Sequence, residues 1–148
     1  EHSFEVELPI LQYFSQDFKI VPIAMMTDDL SRLSEVAQSL AEVIIENNLK
    51  SSTLLIASSD MTHYESQKSA QRKDALAIES IVALDEYKLE AQIKKLGLSM
   101  CGFAPVAVLI KTAKLLGAQG AKLIKYQTSG EATGDSSSVV GYAGITIN

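Results

Sequence analysis

The feature that most constrains the fold of this sequence is a short apolar run, T-L-L-I-A-S at positions 53–58. It has the length of a strand and lacks the alternation of polar and apolar residues that marks a strand with one face in water. We therefore predict a central strand that is buried on both faces. Helical patterns lie on either side of it, at 29–47 and 67–95, and this arrangement is typical of α/β architecture.

The other patterns along the chain fit the same architecture. The helix over 29–47 should be capped by Thr27 or Asp28, and the helical pattern over 67–95 should break near Asp85. A helix over 103–116 is apolar nearly all round and should be buried. A short helix should begin near Leu8 or Pro9, and further strands are predicted at 18–25, 121–126 and 139–147. We predict one α/β domain over 1–148, with a mixed sheet layered between helices.

Composition excludes several classes of function. The chain has 148 residues and a net charge of −5, without the basic run that would indicate a nucleic-acid partner. The apolar stretch that includes 104–110 is far shorter than the roughly 20 residues that span a bilayer, so no membrane partner is expected. A single cysteine allows no internal disulfide and favours a reducing compartment, and we therefore predict a cytoplasmic protein.

His63 is the first residue that could carry chemistry. It lies in the polar loop after the predicted central strand, and in open α/β sheets ligands bind at that edge. Asp60 could hydrogen-bond one ring nitrogen of His63 and leave the other to act as a base or a metal ligand. The alternative is that Asp60 only caps the loop and His63 is an ordinary half-buried side chain.

Cys101 is the second such residue, and it directly precedes the predicted buried helix. Pro105 fits the first turn of that helix, where unpaired backbone N–H groups and the helix dipole favour a thiolate. A thiolate could be a metal ligand, a nucleophile or a redox sensor, whereas the plainest alternative is an inert cysteine. Residue types permit a Cys101–His63 nucleophilic dyad or a mononuclear site for iron, copper or zinc. His2 taken by itself indicates nothing.

Five short motifs along the chain carry a resemblance to a known family. They are E-H-S at 1–3, S-S-D-M-T-H-Y at 58–64, C-G-F-A-P at 101–105, S-G-E-A-T-G-D at 129–135 and V-V-G-Y-A at 139–143. In this order they resemble the Memo family, whose bacterial and archaeal members are called AmmeMemoRadiSam system protein B. Memo proteins are similar in fold to the class III extradiol dioxygenases of the LigB type, so the resemblance implies a LigB-like α/β fold.

The resemblance also implies a metal site. LigB-type enzymes bind iron(II) with two histidines and a glutamate, and Memo proteins have a cysteine in place of the glutamate. His2 matches the second metal-site histidine, and Cys101 matches the cysteine. His63 matches an additional site histidine, which is an acid/base in the LigB-type enzymes, and Asp60 accompanies it. The first metal-site histidine lies upstream of E-H-S, so we expect this chain to be the C-terminal part of a larger protein.

The function that the resemblance implies is a metal-binding redox protein, or an oxidoreductase of unknown substrate, that uses iron or copper. The change from glutamate to thiolate leaves dioxygenase activity open, because a thiolate is softer and can itself be oxidised. The alternative is a non-catalytic scaffold that binds a small molecule or a peptide in the retained pocket, as the signalling role of the animal member implies. The bacterial name implies association with an AMMECR1-type protein and a radical-SAM protein.

Overall fold

The computed structural model describes residues 2–148, which form seven helices and three strands. The helices are α1 (His2–Glu5), α2 (Leu8–Phe14), α3 (Leu30–Glu46), α4 (Gln67–Val82), α5 (Glu86–Leu96), α6 (Phe103–Leu115) and α7 (Ser129–Thr133). The strands are β1 (His63–Glu65), β2 (Ala121–Thr128) and β3 (Val139–Ile147). The mixed α/β class predicted from the sequence is confirmed.

Helix α6 forms the centre of the hydrophobic core. It is apolar on most of its circumference, so it can pack on several sides at once. Helix α3 packs against it through a stripe at three- and four-residue spacing, and α5 packs on another side. Helix α4 joins α5 to strands β2 and β3. The core residues of α6 are Phe103, Ala104, Val106, Ala107, Val108 and Ile110.

The helix boundaries follow local capping chemistry. Helix α3 begins after Asp29, whose carboxylate accepts a hydrogen bond from the Ser31 N–H, so the cap lies one or two residues after the predicted Thr27 or Asp28. The predicted break near Asp85 is confirmed, because Asp85 caps α5 by accepting from the Lys88 N–H. Gly97 ends α5 in the left-handed conformation, with φ 58°. Among residues 2–148, no helix combines the length and apolar character needed to cross a membrane.

The sheet of the described residues is antiparallel, whereas a mixed sheet was predicted. Its order is β1-β3-β2, and β3 pairs antiparallel with both neighbours. Residues 63–65, which were predicted to lie in a loop, form β1 against Val139 and Val140. The sheet continues past β1 through backbone hydrogen bonds between Gly141 and the residues just before His63.

Two predicted strands are wrong in this structure. Residues 18–25 and 53–58 lie outside any ladder, and neither pairs with a strand in the described part of the chain. The run at 53–57 borders an open groove of about 560 Å³ beside the C-terminal half of α6 and the end of β3, and Leu54 is 75% exposed. An apolar sequence can favour an extended backbone, but a strand also needs a neighbour that accepts and donates its hydrogen bonds.

Candidate metal centre

Three side chains from two separate segments converge at one end of the sheet. Asp60 lies just before β1, His63 is the first residue of β1, and Cys101 lies in the turn that leads into α6. One Asp60 carboxylate oxygen, one His63 ring nitrogen and the Cys101 sulfur all lie within 4.8 Å of one another. Asp60 and His63 are partly buried and Cys101 is exposed, so the group opens to solvent on the side of the cysteine.

The backbone around residue 99 fixes the orientation of the His63 ring. The Nδ1 atom lies 2.6 Å from the Ser99 carbonyl oxygen, which can only accept, so Nδ1 carries a proton and donates it. The His63 backbone N–H donates to the Ser99 hydroxyl oxygen at 2.7 Å. The other ring nitrogen, Nε2, lies 3.3 Å from Asp60 Oδ2, which confirms the predicted contact of Asp60 with His63.

This arrangement gives Nε2 two roles that depend on protonation. A doubly protonated ring donates from Nε2 to the Asp60 carboxylate. A ring that has lost the Nε2 proton directs a lone pair into the space shared with Asp60 and Cys101. Metal-ligating histidines typically have this second pattern, in which the other ring nitrogen donates to a backbone carbonyl.

The Cys101 sulfur accepts a hydrogen bond from the Asp60 backbone N–H at 3.2 Å. The Ser59 hydroxyl oxygen lies 4.0 Å from the same sulfur. Cys101 directly precedes Gly102, the N-cap residue of α6, as the sequence predicts. The thiol is therefore oriented toward the Asp60 loop by the backbone of that loop.

A close contact between Gly102 and the segment 58–59 holds the two loops together. The Gly102 N–H donates to the Ser59 hydroxyl oxygen at 2.9 Å, and that hydroxyl donates to the Asp60 carbonyl oxygen at 2.7 Å. A Cβ at position 102 would lie 2.6 Å from the Ser58 carbonyl oxygen, and nearer still to the Ser59 Cβ. Only glycine permits this approach without displacement, and the approach brings Cys101 to Asp60.

The chemistry of the group favours a cation. A carboxylate, an imidazole lone pair and a thiolate are all electron-pair donors, and they repel one another when none carries a proton. A proton or a metal ion between them removes that repulsion. Mixed nitrogen, sulfur and oxygen donors suit iron, copper and zinc better than magnesium or calcium.

Two tyrosines lie at the rim of the group. Tyr64 is 80% exposed, its backbone has φ 57°, and its ring centroid lies 5.8 Å from that of His63. A positive φ at a non-glycine residue is uncommon and costs free energy, so the surrounding structure must hold it. Burial raises the pKa of Tyr142, and the nearby Asp60 carboxylate and Tyr64 raise it further.

His2 does not join this group in the structure. It lies in α1 with a side chain that is 99% exposed, and its Nδ1 atom is 2.9 Å from Glu5 Oε2. Glu1, the first residue of the E-H-S motif, lies outside the described residues. The role of His2 as a metal ligand stays a prediction.

Sequence reasoning missed the residues that orient the site. Ser99 receives both hydrogen bonds from His63, and Ser59 links Gly102 to the Asp60 backbone. Both serines are close in sequence to predicted site residues, and that proximity is the only signal the sequence offers. The pairing of position 63 with position 99 exists only in the folded chain.

The fold and the site define an α/β protein with an aspartate, histidine and cysteine group at the end of a small sheet. The model of the family described as "Memo-like protein" matches residues 1–146. MEMO1 family proteins from Methanocaldococcus jannaschii and Methanopyrus kandleri are 44% and 45% identical to the chain, each over 99% of its length. One from Methanosarcina mazei is 41% identical, also over 99%.

The chain therefore belongs to the Memo family. It spans about half the length of the curated relatives it matches, with 52%, 52% and 55% of those three proteins covered. The family resemblance predicted from the sequence motifs is confirmed.

Proposed function

We propose that Asp60, His63 and Cys101 form part of a metal centre, and that the intact protein is a metal-binding redox protein. The observation that carries this proposal is the convergence of their three ligand atoms within 4.8 Å. Iron or copper is the metal that the family resemblance implies, and a thiolate and an imidazole bind both metals well. The enzymatic form of the proposal is a metal-dependent oxidoreductase whose substrate is unknown.

The surrounding hydrogen bonds support this proposal. The Ser99 carbonyl holds the His63 ring with Nε2 toward the group, and such outer partners typically change metal affinity by about 10- to 100-fold. The Asp60 N–H orients the sulfur of Cys101. A binding site that is oriented in advance loses less conformational entropy when the ion arrives.

Each residue has a distinct role in the proposed chemistry. A bound iron or copper ion would supply electron transfer or activation of a coordinated group. Cys101 and His63 would hold the ion, and Asp60 would share a proton with His63 Nε2 when the ring is not a ligand. When Nε2 is not bound to the ion, His63 and Asp60 form the acid/base pair of the proposal, with the proton moving between Nε2 and Oδ2.

Several further predictions from the family resemblance belong to this proposal. They are a LigB-like fold for the intact protein, an N-terminal part that supplies one more histidine, and His2 as a ligand. Association with an AMMECR1-type protein and a radical-SAM protein also stays a prediction, as do the lack of a nucleic-acid partner and a cytoplasmic location. The lone cysteine is the sequence observation that favours a reducing compartment.

Metal analysis of the intact protein tests the proposal. Purified wild type, Cys101→Ser, His63→Gln and Asp60→Asn would be loaded with iron(II) or copper(I), dialysed and analysed by mass spectrometry. Asp17→Asn, at an exposed carboxylate outside the group, is the matched control. We expect wild type and Asp17→Asn to retain metal, and Cys101→Ser and His63→Gln to bind it at least 10-fold more weakly.

Equal metal content in all five proteins would refute the metal centre. It would favour the alternative of a scaffold that binds a small molecule or a peptide without a metal. The remaining alternative, a hydrolase that uses Cys101 as nucleophile and His63 as base, predicts that a thiol reagent labels Cys101 faster than free cysteine. It also predicts that this labelling slows in His63→Gln without any metal.

A further inference from the structure

A buried carboxylate lies behind the candidate metal centre. Asp74, in the first half of α4, has no exposed surface. Within residues 2–148, no lysine, arginine or histidine lies at ion-pair distance from it. A buried carboxylate is costly unless hydrogen bonds replace the water it has lost, so the groups that face it indicate what it does.

Three donors face Asp74, and two of them belong to one residue. Its Oδ1 atom accepts from the Thr62 backbone N–H at 3.0 Å and from the Thr62 hydroxyl at 2.6 Å. Its Oδ2 atom accepts from the Tyr126 hydroxyl at 2.7 Å. Asp74 therefore connects Thr62 to strand β2.

Thr62 lies between the two site residues that share its loop. It is the immediate neighbour of His63 and is two positions after Asp60, and like Asp74 it is fully buried. Its carbonyl oxygen accepts from the Gly141 N–H at 2.9 Å, and the Met61 N–H donates to the Gly141 carbonyl at 2.9 Å. The segment that carries Asp60 and His63 is thus held by β3 through its backbone and by Asp74 through Thr62.

Gly141 provides the space that this arrangement needs. A Cβ at position 141 would lie directly against Asp74 Oδ2 and 3.1 Å from the Tyr126 hydroxyl oxygen. The absence of a side chain there lets the carboxylate fill the corner between α4, β2 and β3. The Asp74 side chain can therefore occupy this position only because residue 141 is a glycine.

We propose that Asp74 is a positioning residue for the Asp60–His63–Cys101 group. It holds both donors of Thr62 and thereby sets the direction in which the neighbouring His63 ring leaves the backbone. Its effect on metal binding rests on the proposed function, whereas its effect on the His63 ring does not. The ring depends on this support because its contacts with Ser99 require β1 to stay in place.

The chain offers a closely matched pair of variants to test this proposal. Thr62 and Thr112 are both fully buried, and each hydroxyl donates one hydrogen bond, from Thr62 to Asp74 and from Thr112 to the Ala37 carbonyl. Thr62→Val and Thr112→Val each remove one buried hydrogen bond at constant volume. Thr62→Ser retains the hydroxyl and should restore wild-type behaviour.

The readout is the tautomer of the His63 ring in the intact, metal-free protein, measured from ring ¹⁵N chemical shifts at a pH above the ring's titration. The spectrum of His63→Gln assigns the signals. Wild type should show the proton on Nδ1, where it donates to Ser99. In Thr62→Val the bond from Nδ1 to Ser99 should weaken, so the ratio of the Nδ1–H tautomer to the Nε2–H tautomer should fall by about 3- to 10-fold. This factor corresponds to the free energy of one net hydrogen bond. Thr112→Val and Thr62→Ser should match wild type.

Two results would overturn the proposal. One is a wild-type ring signal in Thr62→Val. The other is an equal change of the tautomer ratio in Thr62→Val and Thr112→Val, which would indicate a general loosening of the fold. If Thr62→Val does not fold, Thr62→Ala, which also removes the hydroxyl, is measured in the same way, and a wild-type ring signal there again overturns the proposal. A wild-type protein that binds neither iron nor copper would refute the proposed function, and the ring measurement would still decide the role of Asp74.

Discussion

The contact at Gly102 allows a sharp test of how the two loops of the site are held together. Gly102→Ala adds one methyl group, which would lie 2.6 Å from the Ser58 carbonyl oxygen and 2.7 Å from the Ser59 hydroxyl oxygen. Carbon and oxygen atoms without a bond between them rarely come closer than about 3 Å, so one loop must move. Backbone strain adds nothing, because Gly102 has φ −105°.

The expected cost follows from two opposing effects. An extra methyl group in a closely packed place costs about 1–3 kcal/mol. Replacing glycine with alanine also restricts the unfolded chain, which stabilises the protein by about 0.4–1 kcal/mol. We therefore expect Gly102→Ala to lower the free energy of unfolding by about 1–2 kcal/mol, and to weaken metal binding because Cys101 is displaced from Asp60.

Gly120→Ala is the matched control. A Cβ at position 120 would have no atom within 4 Å, so this variant keeps the entropic gain without the clash. Urea unfolding and metal titration of wild type and both variants provide the measurement. A Gly102→Ala protein that matches Gly120→Ala in stability and wild type in metal affinity would refute the argument that this contact positions the cysteine.

Three further predictions concern residues outside the group. The Lys73 ammonium and the Ser69 hydroxyl donate to Glu65 and hold its pKa below the ordinary 4.5. Glu65→Gln should therefore lose stability in full above pH 4.5, and the loss should disappear as the pH falls through the lower pKa of the folded state. Thermal unfolding of both proteins across pH measures this difference. Burial and the hydrogen bond to Asp74 raise the pKa of Tyr126 above its ordinary 10, so Tyr126→Phe should leave the absorbance change near pH 10 unaltered. Asp85→Ala removes the cap of α5 and should lower the free energy of unfolding by about 1 kcal/mol, as chemical denaturation measures. Asp85→Asn should retain most of this stability, because asparagine is also a good cap.

The sequence predicted the longer helices, α2 to α6, well because their signals are local. The stripe that includes Leu33, Ala37 and Ile44 and the capping chemistry at Asp85 lie within a few residues of the elements they define. Helix α6, which is apolar nearly all round, was predicted to be buried, and most of its residues are. Local spacing also placed Asp60 within reach of His63, three residues later.

The sheet was predicted less well because strand pairing depends on distant partners. Residues 53–58 have the composition of a buried strand, yet composition does not show whether a neighbour pairs with them. Similarly, the sequence indicated Cys101 and His63 separately, and contacts of the folded chain, such as those of Gly102 with Ser59 and of Asp60 with Cys101, bring their segments together. Asp74 was not predicted as part of the support because an aspartate in the middle of a helix is usually on the surface.

The central claim is that the Cys101 sulfur is a ligand of a bound metal ion. X-ray absorption at the metal edge of the intact protein, loaded with iron or copper, measures this directly. We expect a metal–sulfur scattering shell in wild type that disappears in Cys101→Ser while nitrogen and oxygen scattering remains. A bound metal with only nitrogen and oxygen neighbours in wild type would contradict it.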